Sequence, residues 1–143
     1  MKSISIQVQN EFSVANQDRL ISWLEDCVLQ LNKQVGEIHI ALMSDDDLLQ
    51  MNQKFLDHDD YTDVITFDYS TETTINCDIA VSTDRVAENS AQERVSVENE
   101  LARVLIHGIL HCVGYVDKTP KYKAIMRDKE NDMLKSFHVE QKR

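Results

Sequence analysis

Residues 97–117 read VENELARVLIHGILHCVGYVD, and this stretch governs the interpretation of the rest of the chain. Ser96, directly before it, is a favourable N-cap, and Gly114 is a favourable residue at the end of a helix. From Leu101 onward the segment is apolar almost all round the helical circumference, which is typical of a helix buried at the centre of a domain. The sequence therefore predicts a central buried helix from about Val97 to Val113.

The segments on either side of this helix predict a small α+β domain. Alternating or β-branched runs predict four strands, and helical spacing with capping residues predicts four further helices. The order β-α-β-α-β-β-α-α-α corresponds to a mixed sheet of about four strands packed with about five helices. The predicted strands are Ser3–Val8, Glu37–Met43, Thr62–Phe67 and Cys77–Ser82. The first further helix is predicted from an Asn16 cap to about Val35, with Gly36 as the stop, and the second from Ser44 and Asp45 onward. The third is predicted from Ser82 or Thr83 to about Arg94. The last is predicted from a Thr119 cap and Pro120 to about Phe137, and the residues expected to face inward are Tyr122, Ile125, Met126, Met133 and Phe137.

Two histidines share one side of the central helix. His107 and His111 are four residues apart, so one helical turn separates them and their rings can reach the same point. Gly114 ends the helix, and the chain can then turn back to bring Asp117 to that point. Three protein ligands with a fourth position left open are typical of a catalytic zinc site. We therefore predict that His107, His111 and Asp117 bind one Zn²⁺ ion.

Gly108 distinguishes this pattern from the pattern of zinc peptidases. In those enzymes the residue after the first histidine is a glutamate that acts as general base. Glycine inside a helix costs ~1 kcal/mol relative to alanine, and close packing by another element is a structural explanation for it. A metallopeptidase-like hydrolase stays open as an alternative, but it would lack its usual proton acceptor.

These motifs resemble those of the YbeY family of bacterial metal-dependent endoribonucleases. The family signature H-G-x-L-H-x-x-G-Y-D-H is matched at His107, Gly108, Leu110, His111, Gly114 and Tyr115. The family's T-D-V-[LI]-[ST]-F strand is matched by residues 62–67, and its G-D-I strand is echoed by Asp78 and Ile79. The order of elements also agrees, so the resemblance covers nearly the whole chain.

This chain departs from the family pattern at three places. The last family histidine and the aspartate before it are Asp117 and Val116 here, which leaves two nitrogen ligands and one carboxylate. The family glycine before the strand aspartate is Cys77. An arginine that the family carries before the TDV strand, thought to act on the phosphate, is Leu56 in this chain. Phosphate contacts would then have to come from other residues.

The resemblance implies a zinc-dependent endoribonuclease that cleaves single-stranded RNA in ribosomal RNA maturation, at the 16S rRNA 3′ end, and in ribosome quality control. Its implied partners are ribosomal RNA and the ribosome or ribosomal proteins, without a nucleotide cofactor. A non-catalytic, zinc-containing ribosome-associated factor is an alternative of a different class, which Leu56 would favour. The sequence identifies no catalytic general base, because Asp63 and Asp78 are interpreted as structural residues at strand ends.

Basic residues are concentrated after the histidine motif. Residues 1–117 contain 7 of the 15 Lys and Arg and 21 of the 25 Asp and Glu, whereas residues 118–143 contain the other 8 and 4. A basic stretch beside a site can bind a phosphate backbone, although the charge pattern alone also fits a solvated helix face. We predict Lys118, Lys121 and Lys123 as RNA contacts, with Lys54 as a further candidate.

Composition limits the class of protein. The length of 143 residues predicts a single domain, residues 1–143. The net charge of −10 argues against general affinity for polyanions. No apolar run approaches the ~20 residues of a membrane helix, and the first residues resemble a strand and not a signal peptide, so we predict a cytoplasmic protein. Two sets of residues are interpreted as ordinary, the cysteines Cys27, Cys77 and Cys112 and the histidines His39, His58 and His138.

Overall fold

A computed structural model describes residues 3–56 and 61–141, without the side chains from residue 138 onward. This part of the chain forms four strands and five helices in the predicted order, which confirms the α+β class. The strands are β1 (Ser3–Val8), β2 (Gln34–Met43), β3 (Val64–Asp68) and β4 (Thr74–Ser82). The helices are α1 (Gln17–Gln30), α2 (Asp45–Leu56), α3 (Thr83–Glu93), α4 (Val97–Val113) and α5 (Pro120–Gln141).

The four strands form one mixed sheet in the order β1-β2-β4-β3. β2 pairs in parallel with β1 on one side and with β4 on the other, while β3 and β4 form an antiparallel pair. The parallel pairs require crossover connections, which α1 supplies between β1 and β2. The antiparallel β3 lies at one edge, and the residues just before it reach the carboxyl end of β4, where Ser82 N–H donates to the Asp63 carbonyl.

The two faces of the sheet carry cores of different size. Alternate residues of β2 and β4 belong to the main core, which also includes buried residues of α1, α4 and α5. The intervening residues on the opposite face form a small cluster with Leu48 of α2. α4 lies in the main core, where Leu105, Ile106, Ile109 and Leu110 have no exposed surface. The prediction of a central buried helix is therefore confirmed, and its bounds are those predicted.

The predicted end of α1 is wrong. The helix ends at Gln30, and Asn32 adopts a left-handed backbone conformation with φ of 62°. Asn32 N–H donates to the Leu29 carbonyl and Lys33 N–H donates to the Val28 carbonyl, which is the Schellman arrangement. Asparagine tolerates the left-handed region better than most residues, so it ends the helix before Gly36 is reached.

Gly36 lies inside β2 and not at a helix end. A Cβ atom on Gly36 would come within 2.1 Å of Asn76 Oδ1, the oxygen that accepts a hydrogen bond from Glu37 N–H. The same Cβ atom would lie 2.8 Å from the Ile75 carbonyl oxygen, so the close approach of the β4 backbone requires glycine here. β2 and β4 both begin three residues before their predicted starts, because residues 34 and 35 pair with residues 74 and 75.

The inward face predicted for α5 is partly wrong. Met126, Met133 and Phe137 are buried as predicted, but Tyr122 and Ile125 are more than two-fifths exposed. Residues 120–125 are all exposed, so the buried face of α5 begins at Met126. Thr119 Oγ1 accepts a hydrogen bond from Tyr122 N–H, as predicted for the cap. None of the helices in the described residues is long and apolar enough to cross a membrane.

Candidate metal centre

The carboxyl-terminal end of α4 brings the three predicted ligands together. Gly114 has a φ of 109°, in the left-handed region, and Tyr115 N–H donates back to the Leu110 carbonyl. This reversal returns the chain over the last turn of α4. Asp117 Oδ2 consequently lies 3.3 Å from His107 Nε2 and 3.7 Å from His111 Nε2. The two Nε2 atoms are 3.1 Å apart.

These separations suit a tetrahedral metal ion. Ligand atoms about 2.1 Å from a tetrahedral ion lie about 3.4 Å from one another. The three observed distances bracket that value. The cluster His107, His111 and Asp117 is the group of potential ligands that the described residues bring within 4.8 Å of one another. All three side chains are partly exposed, so an ion bound there would also be open to substrate.

The other ring nitrogen of each histidine is held by a hydrogen-bond acceptor. His111 Nδ1 lies 3.0 Å from the Tyr115 carbonyl oxygen, and His107 Nδ1 lies 2.6 Å from Glu130 Oε2. A proton on each Nδ1 satisfies these contacts and leaves both Nε2 lone pairs directed at the same point. Orientation of a ligating histidine by a carbonyl or a carboxylate is typical of metal sites.

Glu130 is a residue of the candidate site that the sequence analysis missed. It lies on α5, is 4% exposed, and its other oxygen, Oε1, accepts from Arg103 Nη1 at 2.9 Å. A buried carboxylate requires such partners, because transfer from water without them is costly. The sequence does contain a signal, since Glu130 shares the buried helical face of Met126 and Met133. An acidic residue within an apolar stripe indicates a partner in the core.

The carboxylates around His107 affect its protonation. Burial lowers the pKa of His107, but the hydrogen bond and charge of Glu130, together with Asp117 and Asp63, outweigh burial, so the pKa lies above the ordinary histidine value. In the metal-free protein this imidazole therefore holds a proton more readily than a free histidine does. A metal ion has to displace that proton, which makes metal affinity depend on pH.

Gly108 allows α4 to pack closely on the sheet. A Cβ atom on this residue would lie 2.8 Å from Thr66 Oγ1 and 3.2 Å from Ile79 Cδ1. A side chain at this point would force Thr66 or the helix to shift. The structural explanation for the glycine is therefore confirmed, and the position that carries the general base in zinc peptidases faces the sheet.

Two cavities flank the histidine cluster and share Asp63, Val64, His107 and Asp117. The first, here called the α5 cavity, is further lined by Glu100, Arg103, Lys123, Met126, Arg127 and Glu130, among others. The second, the α2 cavity, is further lined by residues including Asn52, Leu56, Thr62, Thr66 and His111. The cluster thus lies where the two cavities meet, so there is space for an extended ligand on both sides of it.

The basic residues predicted to contact RNA lie in different places. Lys123 lines the α5 cavity, whereas Lys118, Lys121 and Lys54 are not among the residues that line either cavity. Leu56, the residue predicted to stand in place of the family arginine, lines the α2 cavity. Its side chain brings an apolar surface to the position where that arginine would carry charge.

Of the two aspartates interpreted as structural, only Asp63 lines both cavities. Its place before β3 agrees with the sequence, but its proximity to the cluster was not predicted. Asp78 lies away from the cluster. It lines a separate cavity together with His39 and residues of β1 and α2. His39 is within 3.0 Å of Ser5 Oγ. His58 and the side chain of His138 lie outside the described residues.

Two of the three cysteines are buried, as expected of ordinary small apolar residues. Cys27 and Cys77 are buried and Cys112 is half-buried, and none of the three forms a disulfide. A hydrogen bond with Cys112, together with burial, raises the pKa of Cys77, so this thiol stays protonated. A protonated thiol is a poor metal ligand, which agrees with the absence of Cys77 from the cluster of potential ligands.

Comparisons with known proteins agree along the length of the chain. The family model described as Endoribonuclease YbeY matches residues 4–138. Proteins named Endoribonuclease YbeY from Flavobacterium psychrophilum and Flavobacterium johnsoniae are 44% and 41% identical to the chain, and each alignment covers 96% of the chain and 99% of the relative. The solution structure of a Thermotoga maritima protein is similar, with a TM-score of 0.67, 27% identity, and coverage of 96% of this chain and 93% of that one. The matched range includes the histidine cluster and Glu130.

Proposed function

The chain belongs to the Endoribonuclease YbeY family, and from that premise we propose that it is a zinc-dependent endoribonuclease that cleaves single-stranded RNA. The observation that carries the proposal is the convergence of His107 Nε2, His111 Nε2 and Asp117 Oδ2 at 3.1–3.7 Å between two cavities. We further propose that the reaction serves ribosomal RNA maturation at the 16S rRNA 3′ end and ribosome quality control, in the cytoplasm and with the ribosome as partner.

Zinc suits the chemistry of the three donors. Two imidazoles and one carboxylate, with one position open, form a donor set found in catalytic zinc sites. When bound, the ion lowers the pKa of a water molecule and polarises a phosphoryl oxygen. Glu130 and the Tyr115 carbonyl hold the histidine rings in the orientation that this role requires. We treat residues 1–143 as one catalytic domain.

Asp63 is our candidate for the residue that accepts the proton from the attacking water. It lines both cavities beside His107 and Asp117, and no described lysine or arginine forms an ion pair with it within 4.0 Å. A carboxylate free of such pairing can accept a proton as the phosphodiester is attacked. Asp63→Asn keeps the size of the side chain and removes this capacity. We expect a fall in kcat of about 10²–10⁴-fold with the bound zinc retained.

The peptidase alternative is disfavoured by the surroundings of Gly108. The general base of zinc peptidases occupies that position, and here Thr66 and Ile79 fill the space beside it. The residue after His107 is a glycine, so no glutamate from that position lines either cavity. The site therefore retains the ligand spacing of those enzymes without their proton acceptor.

The test is cleavage of an end-labelled single-stranded RNA by the zinc-loaded protein. His111→Ala removes a proposed ligand, and His39→Ala is the matched control because it removes a histidine from a different face of the sheet. We expect cleavage by the wild type and by His39→Ala, and a loss of both zinc and cleavage in His111→Ala. Equal cleavage by His111→Ala would overturn the proposal, because a contaminating nuclease would then explain the activity. No cleavage by any of the three would favour the non-catalytic ribosome-associated factor.

A further inference from the structure

The two cavities beside the histidine cluster differ in charge. The α5 cavity is lined by three cationic side chains, Arg103, Lys123 and Arg127, and by four acidic ones, Asp63, Glu100, Asp117 and Glu130. The α2 cavity has no lysine or arginine among its described lining residues, and residues 57–60, which the structure does not describe, contain neither type. An RNA strand carries one negative charge per nucleotide, so of the two cavities the α5 cavity is the one whose side chains include cationic partners for its backbone.

Arg103 is committed to interactions within the protein. Its Nη1 donates to Glu130 Oε1 at 2.9 Å, its Nη2 donates to Asn131 Oδ1 at 2.7 Å, and its side chain is 14% exposed. These contacts fix the guanidinium and neutralise Glu130. Arg103 therefore supports the position of Glu130, and through Glu130 the orientation of His107, and it is not available to a ligand.

Arg127 is held much more loosely. Its side chain is 47% exposed, and its two ion pairs, with Glu93 and Glu130, measure 3.8 and 3.7 Å. Both distances exceed a hydrogen bond, and exposed pairs of this kind contribute little stability. Glu130 does not depend on Arg127, because Arg103 already supplies a close cationic partner. The Arg127 guanidinium can therefore turn toward an anion in the cavity at small cost.

Lys123 lies one helical turn before Arg127 on α5. Residues four apart face the same side of a helix, so both side chains reach the same cavity. Lys123 is exposed and forms no ion pair with any residue that the structure describes. The combination of a planar, bidentate guanidinium and an adjacent point charge is well suited to a phosphodiester.

We propose that Arg127 and Lys123 of α5 bind the RNA phosphate that lies beside the His107–His111–Asp117 cluster, in place of the arginine that this chain lacks at Leu56. The inference rests on the proposed function and assigns the phosphate contact to the α5 cavity. The strand would enter along α5, with the backbone against this helix and the cleaved bond at the cluster. The α2 cavity is then left for a nucleotide on the other side of the cleaved bond.

The proposal is tested by binding of a labelled single-stranded RNA to the full chain in chelator, where cleavage does not interfere. The variants are Arg127→Gln, Lys123→Gln and Arg127→Lys, and the control is Lys135→Gln, which removes one charge from the same helix at a side chain 80% exposed outside both cavities. We expect each Gln variant in the cavity to weaken binding about tenfold and to reduce the salt slope by about 0.7. Arg127→Lys should keep the salt slope and lose part of the affinity.

Activity of the zinc-loaded proteins separates this proposal from the proposed function. Cleavage by the wild type, with unchanged affinity and salt slope in Arg127→Gln and Lys123→Gln, would overturn the α5 phosphate contact and leave the nuclease function in place. Weaker RNA binding in these variants without cleavage by the wild type would support the contact and overturn the nuclease function. Loss of affinity in Lys135→Gln equal to that in Arg127→Gln would reduce the effect to net charge and overturn the contact.

Discussion

His107 Nδ1 lies 2.6 Å from Glu130 Oε2, a contact that joins the central helix to the buried face of the last helix. Through this contact Glu130 orients the ring of His107, a predicted metal ligand 23 positions earlier in the chain. The same carboxylate is bound on its other side by Arg103, so the chain His107–Glu130–Arg103 links the site to the core.

The Glu130 contact makes metal affinity sensitive to a residue that does not touch the metal. We expect Glu130→Gln to weaken zinc binding about 10–100-fold, because a neutral amide holds His107 less firmly and makes its ring less basic. Competition with a chromophoric chelator measures this affinity. Asp132→Asn, at an exposed position of the same helix, is the control. Wild-type affinity in a folded Glu130→Gln variant would contradict the positioning role.

The replacement of the family histidine by Asp117 predicts that either ligand type can complete the site. Asp117→Ala should lose most bound zinc, because only two protein ligands remain. Asp117→His should retain it, since imidazole and carboxylate are both common zinc ligands. Metal analysis of the dialysed proteins distinguishes the two variants. Full zinc content in Asp117→Ala would remove this carboxylate from the ligand set.

The close packing at Gly108 predicts that alanine destabilises the protein there. Alanine favours a helix interior by about 1 kcal/mol over glycine, but its Cβ would lie 2.8 Å from Thr66 Oγ1. We expect Gly108→Ala to lower the free energy of unfolding by about 1–3 kcal/mol, the usual cost of overpacking. Denaturant titration gives the value. Adding Thr66→Ala to Gly108→Ala should recover part of the lost free energy of unfolding. A Gly108→Ala variant more stable than the wild type would contradict the prediction, because β3 and β4 would then have moved to accommodate the Cβ atom.

Glu100 should make stability depend on pH. Burial of this side chain, which is 6% exposed, raises its pKa against the opposing charges of Arg103 and Arg127. The folded state therefore binds the proton more tightly than the unfolded state, so stability falls as the pH rises from the unfolded-state pKa through the folded-state pKa. Glu100→Gln removes this loss.

Thermal unfolding of Glu100→Gln across a pH series measures the effect. The variant should unfold at a higher temperature than the wild type at neutral pH, and the difference should shrink toward about pH 4, where the carboxyl is protonated in both states. Glu98→Gln removes the same charge from the first turn of α4 and is the control. A difference that does not change with pH would place the effect in packing and not in ionisation.

Much of the fold could be predicted because its signals are local. Ser96, Thr119 and Asn16 cap the helices they were predicted to cap, since each side chain accepts from a backbone N–H three residues on. The role of Gly36 could not be predicted, because a distant strand decides the structure there. Gly36 was predicted to stop a helix, but Asn76 of β4 requires the glycine within a strand.

The convergence of the three proposed metal ligands was predictable for the same reason. His107, His111 and Asp117 lie within 11 residues on one helix and the turn after it, and their spacing alone brings them together. Asp63 and Glu130 could not be assigned in this way. They approach the cluster from a strand end and from another helix, and no local period connects them to His107.

The sequence by itself determined the helix and strand order, the buried helix at the centre, and three side chains converging at its end, because capping, periodicity and short spacing act within a few residues. Only the tertiary structure decided which carboxylate holds His107, which cations line the cavity beside it, and why Gly108 admits no side chain. Those features depend on distances between elements far apart in the chain, and packing of the sheet and of α5 against α4 sets those distances.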